Sequence, residues 1–164
     1  MSTEQMPLSQ KSLPPDKFSE ILVAIDGSEK SLYAAKYAIV LARKDDAEVI
    51  ALTVAPMPAV YDLSYTLVER SREHTLAEAE KAFDKIKTFI TETNGKNGKP
   101  VKLRTEVAES AVSVEATIVN YADEENVDII VIGTKGKSGL KRLLLGSVAS
   151  GVVTYATKPV LVVK

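Results

Sequence analysis

Five short runs of aliphatic and β-branched residues, separated by segments with a helical repeat, constrain this chain more than any other feature. The runs are EILVAI (20–25), EVIALTV (48–54), VKLRTEV (101–107), DIIVIG (128–133) and PVLVV (159–163). Runs of this length and composition read as strands. Four of them show little apolar–polar alternation, which suits strands buried on both faces of a parallel sheet. VKLRTEV does alternate, so one of its faces is wetter. It is the best candidate for an edge strand.

The intervening segments repeat at helical spacing. Leu32, Ala35, Ile39 and Ala42 step by three and four and share one face of a helix from about Glu29 to Arg43. Ser28 is placed to cap its first turn by accepting a bond from a free backbone N–H. From about Tyr65 to Thr93, Leu76, Ala79, Phe83, Ile86 and Ile90 keep the same spacing, with Glu and Lys on the opposite face. Asn94, Gly95, Asn97 and Gly98 are expected to end that helix. Val114, Ile118 and Tyr121 mark a third helix, and Val148, Val152 and Tyr155 a fourth. The resulting order, βαβαβαβαβ, demands right-handed crossovers and predicts an α/β fold: a single open five-stranded parallel sheet with helices on both faces. Residues 55–65, APMPAVYDLSY, form a long connection read either as a flap beside a site or as a plain surface loop.

Composition narrows the function. At 164 residues, one domain is the default. Residues 1–17 are read as a flexible tail and 18–164 as the domain. A net charge of −1 gives no overall attraction to nucleic acid or an anionic membrane, and no stretch approaches the ~18 apolar residues of a span. Cysteine is absent, which excludes thiolate chemistry and suits a reducing compartment, so a cytoplasmic location is expected. The single histidine, His74, sits on the polar side of a charged helix and is expected to face solvent.

In an open parallel sheet, ligands bind beyond the carboxyl ends of the strands, where the strand order reverses. Two segments after such ends carry suitable chemistry. Asp26-Gly27-Ser28 follows the first strand, and GTKGKSGLKRLLLGSVAS (133–150) follows the fourth. Gly133, Gly136 and Gly139 permit positive φ and close backbone approach to a ligand. Gly146 and Ser147 open the fourth helix, whose free N–H groups favour a phosphate. Lys135, Lys137, Lys141 and Arg142 add positive charge, so a polyanion is the natural guest. Two familiar phosphate motifs fail. The Walker A spacing would need glycine where Val131 stands, and the dinucleotide fingerprint would need more than the one glycine after the first strand.

The spacing that does occur is Gly133, two residues, Gly136, nine residues, then Gly146-Ser147. With the opening ILVAIDGSEKS, the strand ending LTVAP and the closing KPVLVVK, the chain from about Phe18 to Lys164 resembles the universal stress proteins of the ATP-binding type. The resemblance implies a Rossmann-like sheet of the adenine nucleotide alpha hydrolase-like kind, with strand order 3-2-1-4-5. It implies that Ala24, Ile25 and Val54 line the adenine side, and that Asp26 lies near the nucleotide by its side chain or through a bound Mg²⁺. Gly133 and Gly136 would pass against the ribose and α-phosphate, with Ile132, Thr134, Lys135 and Gly139 beside them in the same segment. Lys137 and Ser138 would flank the phosphates, and Gly146, Ser147 and Val148 would offer backbone N–H groups to them. Ala149 stands where relatives often carry Ser or Thr, so one hydroxyl contact is missing there. Glu109-Ser110-Ala111 also lacks the Gly and Pro common before the third helix. The implied ligand is ATP or another adenine nucleotide, with Mg²⁺. The implied assembly is a homodimer through strand 159–163, and the implied role is a regulatory stress-response module rather than an enzyme. A slow ATPase or nucleotide-activating enzyme of this fold, and a nucleotide-free interaction protein, are the alternatives.

Overall fold

The structure, a computed structural model, describes residues 14–57, 65–97, 99–110, 112–135 and 145–164. Its elements are β1 (Glu20–Ala24), α1 (Glu29–Asp45), β2 (Glu48–Pro56), α2 (Tyr65–Asn97), β3 (Lys102–Ser110), α3 (Val114–Glu124), β4 (Ile129–Gly133), α4 (Ser147–Tyr155) and β5 (Val160–Val163). All five strands are parallel, in the order β3-β2-β1-β4-β5. The chain thus winds outward from β1 in one direction, returns to the centre and winds outward in the other. Between β1 and β4 the order reverses, with Ile21 opposite Ile129 and Val23 opposite Val131.

Three of the four unalternating strands, β1, β2 and β4, are buried on both faces, whereas β5 lies at the other edge and is half-buried at Val160, Leu161 and Val162. Ile21, Val23 and Ile25 join Val49, Ala51 and Val131 under α1 and α2. Leu22, Ile50, Leu52, Ile130 and Ile132 face the other way, under α3 and α4. Full burial of each such side chain contributes roughly 1.5–3 kcal/mol, and these two layers supply most of the driving force. On α2, Ala79, Phe83, Ile86 and Ile90 are buried along one stripe, while His74 is exposed. β3 does lie at an edge. Arg104, the third of its residues, forms ion pairs with Glu48, Glu106 and Glu125, which accounts for the alternation in its sequence.

Two helix expectations need correction. Asn94 and Gly95 do not stop α2, which runs to Asn97. A glycine costs only about 1 kcal/mol within a helix, and the Asn94 side chain is engaged tertiarily, accepting from Arg43 Nη2 of α1 at 3.3 Å. Tyr155, expected on the packing face of α4 with Val152, is 69% exposed, while Val152 is fully buried. Periodicity assigns an azimuth on the helix, but not whether anything lies beneath it.

Below the sheet, Asp128 ties the chain entry to β4. Its Oδ2 accepts from Ser19 N at 2.6 Å and from Glu20 N at 3.0 Å. Phe18 N donates to Asp45 Oδ2 at 3.0 Å, closing the lower end of α1. The upper end, above the strand tips, is where the connections open.

Candidate functional site

Each element that reaches the upper end of the sheet is aimed there by a local device. After β1, Gly27 takes φ 81°, the left-handed region that glycine adopts without penalty. Asp26 Oδ1 accepts from Ser28 N at 3.0 Å, forming a side-chain turn. Ser28 then caps α1, its Oγ accepting from Ser31 N at 3.2 Å. Asp26 is thus both a turn former and a residue at the mouth of the site.

After β4 the chain is held at a neck. Thr134 N donates to Val163 O at 2.9 Å, and Gly146 N donates to Thr134 O at 2.7 Å. α4 begins at Ser147 with Gly146 as its cap residue, and no side chain caps it. The first helical bond is that from Ser150 N to Gly146 O, so Ser147, Val148 and Ala149 present amides without a partner inside the helix. These three amides, with the positive end of the helix dipole, form an anion-seeking terminus.

The tips of β1, β2 and β4, with α1, α2, α3 and α4, enclose a cavity of about 340 Å³. Every sequence-predicted site residue among the described ones lines it. Ala24, Ile25 and Asp26 come from the end of β1 and the turn beyond it, and Val54 from β2. Ile132, Gly133, Thr134 and Lys135 come from β4 and its exit, and Gly146, Ser147, Val148 and Ala149 from the start of α4. Gly136, Lys137, Ser138 and Gly139 lie outside the described residues, as do Lys141, Arg142 and most of the 55–65 connection.

Two expectations about the glycines change. Gly146, expected to offer its N–H to a ligand, instead donates it to Thr134 O, so the amides without a partner inside α4 are those of Ser147, Val148 and Ala149. Gly133 ends a strand, and the absence of its side chain serves packing. A Cβ there would lie 2.9 Å from the Lys30 carbonyl oxygen, so the first turn of α1 sits directly against it. Glycine at this position lets α1 and β4 close together above the switch point.

The structure also adds six residues that sequence reasoning left out: Ser31 of α1, Leu52 and Thr53 of β2, Thr75 of α2, and Val114 and Ile118 of α3. Val114 and Ile118 were legible as a helical face but not as a wall of this cavity, and the others carried no signal of their own. A larger hollow of about 560 Å³ lies between α1 and α2, walled by side chains of those two helices alone, including Tyr33, Lys36 and Phe89. It has no strand end and lies away from the switch point, so the smaller cavity is the candidate site.

Among the described residues, no cluster of three or more His, Asp or Glu side chains could hold a metal, and no helix is long and apolar enough to cross a membrane. Among the described residues, Asp26 is the carboxylate that lines the cavity and Lys135 the cation.

Residues 17–164 match the sequence profile of the universal stress protein family. A universal stress protein of Methanocaldococcus jannaschii is 40% identical over 151 residues, covering 90% of this chain and 82% of the relative. Among solved structures, the universal stress protein UspA from Lactobacillus plantarum superposes with a TM-score of 0.74 at 27% identity, covering 92% of this chain and all of that one. A universal stress protein solved in complex with cAMP shares the fold, with a TM-score of 0.60 at 24% identity over 90% of this chain and 97% of its own.

Proposed function

The chain belongs to the universal stress protein family, and from that premise we propose that it binds an adenine nucleotide, ATP, in the cavity at the β1–β4 switch point. The observation that carries this reading is the polarity of the cavity. At one end stand the amides of Ser147, Val148 and Ala149, without partners inside α4, together with Lys135, and these favour phosphate oxygens. Toward β2 the walls turn apolar, with Ala24, Ile25, Leu52, Val54, Val114 and Ile118 offering a slot for a flat base. Asp26 lies between, at the tip of the central strand. The cAMP complex of a fold relative concerns that protein; the reading here rests on this chain's own cavity.

Mg²⁺ fits as a companion of the phosphates. A single carboxylate, Asp26, is the number this cation commonly takes from protein beside a nucleotide, the remaining ligands being phosphate oxygens and water. The described lining contains no imidazole and no carboxylate pair to act as base and acid. The proposed role is therefore nucleotide-dependent regulation within a stress response, without rapid turnover.

β5 is an edge strand whose backbone pairs with β4 on one side. Its half-buried Val160, Leu161 and Val162 support a homodimer in which a second copy pairs along that edge. Isothermal titration calorimetry with ATP, with and without Mg²⁺, tests the central claim. Saturable binding at one site per chain is expected, and a flat response under both conditions rejects it.

A further inference from the structure

The helix α2 is gripped along only part of its length. Ala79, Ala82, Phe83, Ile86 and Ile90 are buried, so this part is bound by the apolar layer beneath it. From Thr66 to Glu78, about 20 Å of helix, no side chain is buried, and Leu67 is 69% exposed. A helix keeps its backbone hydrogen bonds internal, so this stretch can lift from the sheet without breaking them. It gives up only partial contacts, which places it at the low-stability end of the fold.

A polar clasp ties the stretch down. Arg72 donates from Nε to Glu109 Oε1 at 2.7 Å, and its Nη2 donates to the same oxygen. The Glu69–Arg72 and Glu78–Lys81 pairs stay within the helix, whereas Arg72–Glu109 crosses from it to β3. Glu109 stands at the upper end of β3, opposite Ala55 in register, and the preceding pair is Val54 with Ala108. Ala108 packs toward α3 and α4, so Glu109, the next residue along, turns to the α2 face. Val54 lines the candidate site, and so does Thr75, which follows Arg72 by three residues on the same side of the helix. The clasp therefore joins helix to sheet at the rim of the site, and the turn it holds is the one that carries Thr75.

We propose that the first three turns of α2 are a flap over the site, hinged where burial begins at Ala79 and clasped by Arg72 and Glu109, and that this ion pair sets how fast a nucleotide enters and leaves. This rests on the nucleotide-binding reading above. Both partners are about a third exposed, so the pair is weak enough to open spontaneously and is loosened by salt. An open flap admits a nucleotide as readily as it releases one. Breaking the clasp therefore speeds both steps and leaves their ratio, the affinity, nearly unchanged.

The test uses the full chain and the variants Arg72→Gln, Glu109→Gln and the exchanged pair Arg72→Glu with Glu109→Arg. Stopped-flow fluorescence with ATP carrying an N-methylanthraniloyl group on its ribose reads entry and release. Each glutamine variant is expected to raise both rate constants by about two- to fivefold, the span of an exposed ion pair, and the exchanged pair to restore them. Near 1 M salt, where screening acts within about 3 Å, the variants and the unaltered chain should converge. Hydrogen exchange without nucleotide reads the flap alone, and the amides of 66–76 should exchange faster in the glutamine variants. Unchanged exchange there overturns the flap whatever the protein binds. Unchanged rates, or a rise in release without a rise in entry, overturns the gate while nucleotide binding stands. Absence of binding by the unaltered chain overturns both.

Discussion

The N–H of Gly146 is bound by the carbonyl of Thr134 at 2.7 Å, which closes the neck of the loop between β4 and α4. Thr134 in turn donates its own N–H to Val163 O at 2.9 Å. One peptide segment therefore holds the start of α4 on one side and the end of the edge strand β5 on the other. The three amides beyond Gly146 point where they do because this neck sets the origin of α4.

Gly133, immediately before that neck, tolerates no side chain. A Cβ would press on the Lys30 backbone at 2.9 Å, and backbone cannot swing aside as a flexible side chain can. Gly133→Ala is expected to destabilise the fold by about 1–3 kcal/mol, the usual range for overpacking. Urea unfolding monitored by circular dichroism measures it, and an unchanged midpoint would refute the packing argument.

Ser28 holds the turn that carries Asp26. Ser28→Ala removes the cap bond to Ser31 N and is expected to cost about 1 kcal/mol. Ser28→Asp, which keeps an acceptor there, should retain most of the stability in the same unfolding assay.

Val54 is half-buried on the β2 side of the cavity, so a large ring there fills the slot without entering the core. Val54→Trp is expected to weaken ATP binding by at least about tenfold, or 1.4 kcal/mol, with the melting temperature nearly unchanged. Equal affinity by calorimetry would mean that the base lies elsewhere.

Tyr121 gives the fold an alkaline sensitivity. Burial first, and then the nearby Glu106 carboxylate, push its phenol above the ordinary tyrosine value, with Arg104 opposing. A raised value in the folded state means that the native protein holds the proton more tightly than the unfolded chain. The associated stability is present below about pH 10, the ordinary tyrosine value, and is lost as pH climbs through the higher folded value. Tyr121→Phe should show a shallower loss than the parent chain between pH 9 and 11, read by denaturant midpoints; parallel curves would contradict it.

Much of this molecule was legible in local sequence. Unalternating β-branched runs marked β1, β2 and β4 as buried on two faces because each side chain must find apolar neighbours above and below, but the same pattern did not show that β5 lies at an edge; the alternation of VKLRTEV marked an edge because one face stays wet. The Ser28 cap and the buried stripes of α1 and α2 followed from spacing alone, whereas the exposure of Tyr155 on α4 did not. The glycine spacing and its resemblance located the site, and each described residue expected there lines the cavity.

Tertiary structure decided what depends on residues distant in the chain. Thr53, Thr75 and Ser31 looked like ordinary polar residues of a strand and two helices. They line one cavity because the sheet and its helices bring α1, β2 and α2 together at the strand tips, and the bond from Thr53 Oγ1 to Ile25 O, between β2 and the end of β1, forms only in the assembled sheet. The reason for glycine at Gly133 lay in Lys30, about a hundred residues earlier and across a helix–sheet contact. Side-chain periodicity reports which way a residue faces; only the assembled sheet determines what it meets there.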